Sequence, residues 1–89
     1  MARQDCELYG VDGGGSNAQT SEAFLRLGIQ YATGSGVDPD LVAAHKWLNI
    51  AAIRGNPEAL RHRREIAAEM TKAEIDEALR QARAWLNPR

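Results

Sequence analysis

The residues suited to acid–base, nucleophilic or metal chemistry are few and scattered in this chain of 89 residues. There are two histidines, His45 and His62, and a single cysteine, Cys6, so no intrachain disulfide can form. No His, Cys, Asp or Glu cluster has the short spacings of a metal site, and no nucleophile and acid accompany a histidine in a triad-like pattern. We predict a packed or interface role for His45, with no enzymatic activity, no metal, no cofactor and no small-molecule substrate.

Four carboxylates border one predicted helix junction, and they are the remaining candidates for acid–base chemistry. Solvated helix caps and helix faces explain such residues better than a paired acid and base does. The four are Glu69, Glu74, Asp76 and Glu77.

The most concentrated charge is the run Arg61-His62-Arg63-Arg64. On a helix, Arg61 can pair with Glu65 at i,i+4, which would make this run a solvated face. The alternative is a cationic patch for an acidic partner. Four basic groups without interleaved aromatic residues make a poor nucleic-acid footprint, and the net charge of −1 also argues against nucleic-acid and membrane-surface binding.

The bulk composition describes one small globular domain, with 44 % hydrophobic and 26 % charged residues. No apolar run approaches the roughly 18 residues of a membrane span. The N-terminus lacks the basic and then apolar regions of a signal peptide. We therefore expect a cytoplasmic protein without a membrane partner.

Helical periodicity predicts four helices, at about residues 21–33, 39–54, 57–70 and 72–86. No segment alternates with period two, so no sheet is expected. The predicted fold is all-α, with two antiparallel helix hairpins stacked as a short α/α solenoid. Residues 1–19 contain a Gly/Ser run without apolar periodicity and are predicted to form a flexible N-terminal arm. Residues 20–56 form the first hairpin and residues 57–89 the second.

Polar caps mark the predicted helix starts. Asp38 is the expected N-cap of the second helix, with Pro39 in its first turn. Asn56 and Pro57 repeat this arrangement at the third helix. The fourth helix opens with a capping box that begins at Thr71.

The first helix is predicted to pack through Ala23, Leu27 and Tyr31, which share one face. Gly28, inside the same helix, indicates that another backbone passes close by. In the second helix the predicted packing face consists of Leu41, Ala44, Leu48 and Ala51 or Ala52, with Trp47 alongside.

One spaced pattern links the first two helices, their turn and the start of the third helix. It places small residues, turn glycines and two large aromatic residues at fixed offsets. Its fourteen residues are Ala23, Leu27, Gly28, Tyr31, Gly34, Gly36, Val37, Asp40, Ala44, Trp47, Ala51, Ala52, Gly55 and Ala59. This stretch resembles one complete Sel-1-like repeat, the bacterial relative of the tetratricopeptide repeat. Residues 60–89 resemble a degenerate repeat that forms a C-terminal capping hairpin, in which Ala44-x-x-Trp47 recurs as Ala82-x-x-Trp85.

The resemblance implies an adaptor or scaffold in which the solenoid groove holds a partner protein or peptide, without a cofactor. It implies that the matching residues determine the fold and form no binding site. We place the partner contacts in the groove lined by the first and third helices, on Arg26, Gln30, Arg61, His62 and Arg64. A solenoid usually needs at least about three repeats, so we expect a homodimer or docking on a partner. The alternative is a small structural protein whose role is oligomer assembly.

Overall fold

The computed structural model describes residues 14–88, with side chains from residue 20 onward, and it contains four helices in this range. They are α1 (Gly14–Thr33), α2 (Leu41–Ile53), α3 (Pro57–Ala67) and α4 (Lys72–Leu86). Since no strand occurs among the described residues, the predicted all-α fold is confirmed. Within the same range, no helix has the length and apolar character that crossing a membrane requires.

The first helix begins earlier than the sequence predicted. We expected it at about residue 21, after a flexible arm over residues 1–19, but α1 starts at Gly14. Helix nucleation is costly, but extension of a helix that is already formed is not, because each added residue gains one hydrogen bond. The packed later turns of α1 therefore allow the helix to extend toward its N-terminus. The remainder of the predicted arm, including Cys6, lies outside the described residues.

The N-cap of α2 is Asp40, so the prediction of Asp38 is wrong. Asp40 has an extended backbone, and its Oδ1 accepts a hydrogen bond from the Ala43 N–H at 3.1 Å. Pro39 lies before the helix and against the preceding turn, where a Cβ added to Gly34 would be only 2.7 Å from Pro39 Cγ. Gly34 has a φ of 75°, which a residue with a Cβ rarely adopts. Pro39 therefore helps to close the turn between α1 and α2.

The start of α3 agrees with the prediction. Asn56 Oδ1 accepts hydrogen bonds from the N–H groups of Glu58 and Ala59, and Pro57 occupies the first turn. These contacts satisfy donors that have no partner inside the helix. The helix ends at Ala67, earlier than the predicted residue 70, because the chain then forms tight i→i+3 turns.

The predicted capping box of α4 is confirmed. The Thr71 N–H donates to Glu74 Oε1 at 2.8 Å, and Thr71 Oγ1 accepts from the Glu74 N–H at 3.1 Å. The two residues thereby satisfy each other's free backbone donors.

Helix α2 is at the centre of the fold, because α1, α3 and α4 all pack against it. Its fully buried residues are Ala44, Leu48, Ile50 and Ala51. The helices around it contribute small buried side chains, which allow close approach. These are Ala59 of α3 and Ala78 and Ala82 of α4.

The buried face of α1 is rotated from the predicted one. Ala23 is exposed and Tyr31 is only half-buried, whereas Leu25, which the periodicity did not single out, is buried. Gly28 lies between α1 and α2, and residues three and seven positions before it share its face. This places Leu25 and Ser21 against the core instead of Ala23.

The predicted close approach at Gly28 is confirmed. A Cβ added there would lie 2.6 Å from Leu48 Cγ and 3.2 Å from the Ala44 carbonyl oxygen. Both distances are shorter than an ordinary van der Waals contact between non-bonded heavy atoms. Gly28 therefore lets α1 lie directly against α2.

Candidate protein-interaction surface

Three aromatic side chains from three helices meet at one surface of the protein. They are Phe24 of α1, Trp47 of α2 and Trp85 of α4, and we call them the aromatic patch. Phe24 and Trp47 stack with ring centroids 5.5 Å apart and planes 5° from parallel. Trp85 stands edge-on to both, with its centroid 5.1 Å from Phe24 and 5.6 Å from Trp47. Since each such pair stabilises by about 0.5–1.5 kcal/mol beyond its buried area, the patch joins α1, α2 and α4.

One side of the aromatic patch is open to solvent. Trp85 keeps 40 % of its surface exposed, while Phe24 and Trp47 are half-buried. Interface anchors are rich in Trp, Tyr and Arg, and an exposed Trp held in place by neighbouring rings loses little freedom when a partner covers it. The patch therefore has the composition and rigidity of a docking surface.

Two positive charges lie over these rings. The Lys46 Nζ is 4.2 Å from the centroid of Trp47, and the Arg54 Cζ is 5.7 Å from that of Phe24 and 5.9 Å from that of Trp85. Contacts of this kind are worth about 0.5–1 kcal/mol at exposed sites. Among the residues that the structure describes, neither Lys46 nor Arg54 forms an ion pair with a carboxylate. The surface is thus both aromatic and cationic.

Arg26 and Gln30, the predicted contacts on the first helix, both line a shallow depression of about 410 Å³. Ile29, Thr33 and Ser35 complete its walls. Both predicted contact residues are exposed, and the hydroxyls of Thr33 and Ser35 are joined by a hydrogen bond of 2.8 Å. The structure therefore brings these two residues together at the C-terminal end of α1.

The predicted contacts on α3 are partly engaged with their own helix. Arg61 pairs with Glu65 at 3.1 Å, as predicted, and lies 3.4 Å from Glu58. His62 is half-buried, with its Nδ1 3.7 Å from the Glu65 carboxylate, and Arg64 is exposed. Within residues 20–88, no hydrogen bond or ion pair connects these side chains to the pair on α1. The five predicted residues thus form two sets, one on each helix.

Arg63 points inward and donates a hydrogen bond to Asn49 Oδ1 of α2. One turn before Asn49, His45 is only 4 % exposed, and its Nδ1 has no hydrogen-bond partner among the described residues. Burial lowers the pKa of His45 below its usual 6.5, and the nearby Arg63 cation lowers it further. His45 is therefore a packed histidine, as predicted, and burial and the Arg63 cation both favour its neutral form.

Three of the four carboxylates that border the start of α4 are engaged in a cap or an ion pair, and the fourth, Glu69, is exposed. Glu74 completes the capping box, and Asp76 accepts a hydrogen bond from Lys72 at 3.0 Å. Hydrogen bonds, chiefly from Arg80, lower the pKa of Glu77 to about 2. Across the described part of the chain, no three His, Cys, Asp or Glu side chains form a group that could hold a metal ion.

A second depression, of about 510 Å³, lies where α2 leads into α3. Ile53 lines it and is 59 % exposed. The other lining residues are Ala52, Gly55, Asn56, Pro57, Leu60 and Arg63. Its walls lack the aromatic rings that distinguish the aromatic patch.

Comparisons with protein-family models, with curated proteins and with solved structures found no match to this chain. The Sel-1-like resemblance therefore stays a prediction that depends on the spaced residues alone.

The aromatic patch was not predicted, because the sequence pattern placed Trp47 only beside the packing face of the second helix. A signal was present in the recurrence of Ala44-x-x-Trp47 as Ala82-x-x-Trp85. When two helices of equivalent pattern pack against each other, equivalent residues can meet across the contact. The position of Phe24 beside them could not be read from the sequence, because it depends on how α1 is rotated against α2.

Proposed function

We propose that this protein is a non-catalytic interaction module that binds a partner protein or peptide through the aromatic patch. The observation that carries the proposal is the exposed Trp85, which is held by Phe24 and Trp47. Arg54 lies over its ring, and Lys46 lies over the neighbouring Trp47. Because three helices contribute the rings, the surface exists only when they are packed together. A folded scaffold that presents a preformed aromatic surface is suited to recognition, since few side chains must become ordered on binding.

The Sel-1-like spacing supports the same proposal. In a Sel-1-like repeat, Gly28 would serve the packing of the two helices and Gly34 the turn between them. The surface residues would then be free for contacts with a partner. The contacts predicted from the sequence, Arg26 and Gln30 on α1 and Arg61, His62 and Arg64 on α3, lie outside the aromatic patch and form the competing candidate site. A cytoplasmic location remains a prediction from the sequence, and a bacterial origin is what the Sel-1-like resemblance implies.

Panning of random peptides displayed on phage tests this function and does not require an identified partner. We expect peptides to be enriched on the native protein and lost on the Trp85→Ser variant, whose helix content is checked by circular dichroism. The matched control is the double variant Arg61→Glu and Arg64→Glu, which changes two exposed residues of α3. Enrichment that survives Trp85→Ser but disappears in this double variant would move the site to α3, and no enrichment on the native protein would contradict the proposal.

Light scattering over a concentration series separates binding of a partner from oligomer assembly. A chain that keeps its monomer mass of 9.8 kDa leaves the aromatic patch free. A larger and constant mass, together with shielding of Trp85 from an added fluorescence quencher, would favour the structural alternative.

A further inference from the structure

We propose that the partner is an acidic polypeptide segment with an apolar side chain between two carboxylates. The apolar side chain packs on the aromatic patch beside Trp85, and the carboxylates pair with Lys46 and Arg54. This inference rests on the proposed function and names the chemistry of its partner.

The first argument is charge complementarity at the aromatic patch. Three cations already have carboxylate partners: Arg61 pairs with Glu58 and Glu65, Lys72 with Asp76, and Arg80 with Glu77. Arg26, Arg64 and Arg83 lack a carboxylate partner among the described residues, but they lie over no aromatic ring there. Lys46 and Arg54 also have no carboxylate partner in the same part of the chain, and their described electrostatic contacts are with aromatic rings. A partner that supplies carboxylates would therefore add ion pairs here without breaking existing ones.

The second argument is the spacing of the two cations. Lys46 lies in α2, and Arg54, eight residues further on, is the C-cap of that helix. Eight residues correspond to about 12 Å along a helix. An extended peptide covers this distance in roughly three to four residues. Two carboxylates at such a spacing leave room between them for a side chain that reaches the rings.

The arrangement of the rings favours a polypeptide over a nucleic acid. Single-stranded nucleic acids bind by stacking successive bases on open aromatic faces. Here Phe24 and Trp47 stack on each other, and Trp85 stands edge-on against both. The net charge of −1 also provides no general attraction for phosphates.

The intrinsic fluorescence of the protein reports this surface directly, because its two tryptophans, Trp47 and Trp85, both belong to the aromatic patch. The probe is a capped synthetic peptide with a central Leu between two Glu residues at the spacing given above. The matched peptide carries Gln in place of both Glu residues. A single-stranded oligothymidylate of similar length is the third probe.

We expect the Glu peptide to change the tryptophan emission in a saturable manner and to bind about tenfold more tightly than the Gln peptide, as two exposed ion pairs would give. The double variant Lys46→Gln and Arg54→Gln should remove this preference. The control variant Arg61→Gln and Arg64→Gln loses the same charge from α3 and should retain it. Helix content measured by circular dichroism shows whether each variant is folded, and the comparison of the two peptides on the native protein needs no variant.

Equal affinity for the Glu and Gln peptides would overturn the inference while leaving an apolar docking site. Tighter binding of the oligothymidylate than of the Glu peptide would also overturn the inference. Failure of both peptides, when panning still enriches peptides that depend on Trp85, would overturn the inference and leave the proposed function standing. If panning also fails, both are contradicted. A change of emission with protein concentration alone would assign the surface to a second copy of the chain.

Discussion

At Gly28, α1 comes so close to α2 that one added carbon has no room. The Cβ of any other residue would lie within 3 Å of two carbons of the Leu48 side chain, and Leu48 is fully buried. The choice of glycine costs helix propensity, on the order of 1 kcal/mol relative to Ala. This single residue therefore sets how closely α1 lies against the central helix, which is the contact that brings Phe24 to Trp47.

We predict that Gly28→Val destabilises the protein by about 1–3 kcal/mol, because the new side chain overpacks the contact with Leu48. The melting temperature should fall by about 4–8 °C for each kcal/mol in a domain of this size. Thermal unfolding followed by circular dichroism measures the effect. The matched control is Ala23→Val, at an exposed position of the same helix, where only the lower helix propensity of Val, at most about 0.7 kcal/mol, should be lost. Equal losses in the two variants would show that α1 and α2 are not in close contact at Gly28.

His45 couples the contact between α2 and α3 to pH. Its imidazole is buried, and the Arg63 cation, which also hydrogen-bonds Asn49, lies near it. The pKa of His45 in the folded protein is therefore lowered, so the unfolded chain binds the proton first as the pH falls. Stability is complete above the unfolded pKa of about 6.5 and decreases below it.

We predict that the free energy of unfolding decreases between about pH 7 and pH 5, with a slope of at most about 1.4 kcal/mol per pH unit for one proton. Urea unfolding at a series of pH values measures this slope. His45→Gln should flatten it, whatever its effect on absolute stability. His62→Gln removes the only other histidine and should leave the slope in place. A slope that persists in His45→Gln would refute the assignment.

At the scale of the elements, α4 is fixed at its start by the capping box and along its length by contacts with α2. Ala78 and Ala82 are buried, and further along the helix Trp85 reaches the rings of Phe24 and Trp47. The position of Trp85 at the surface therefore depends on the whole helix being formed.

We predict that Thr71→Ala costs about 1 kcal/mol, because it removes the hydroxyl that accepts the Glu74 N–H. Thr71→Ser keeps a hydroxyl at the cap and should restore most of the loss. Chemical denaturation gives the free energies, and hydrogen exchange should show faster exchange in the first turn of α4 of the Ala variant. If the Ala and Ser variants are equally stable, the capping box contributes nothing to α4.

Helix starts were predictable where the capping side chain and its target are close in sequence, as at Asn56 and Thr71. The start of α2 was not, because two aspartates flank Pro39, and which of them caps depends on the packing of Pro39 against Gly34. The buried face of α1 was also misread. Ala23 fits a helical period as well as Leu25 does, and only the position of α2 decides between them.

At the scale of the whole molecule, α2 contributes its buried residues to the core and contributes Trp47 to the aromatic patch. The all-α fold followed from the periodicity, since no segment alternates with period two. The aromatic patch could not be predicted from the periodicity, because its three rings come from α1, α2 and α4. Residues this distant in sequence meet only after the helices pack. The charges of Lys46 and Arg54 were visible in the sequence, but their positions over the rings were not.

The aromatic patch as the binding surface is the central claim, and NMR of the tryptophan side chains tests it most directly. Uniformly ¹⁵N-labelled protein would be titrated with a peptide that panning enriches, and the indole N–H signals of Trp47 and Trp85 would be followed. We predict that both signals shift in a saturable manner while the backbone amides of Arg61 and Arg64 do not move. Shifts confined to α3, with both indole signals unchanged at saturation, would contradict the claim.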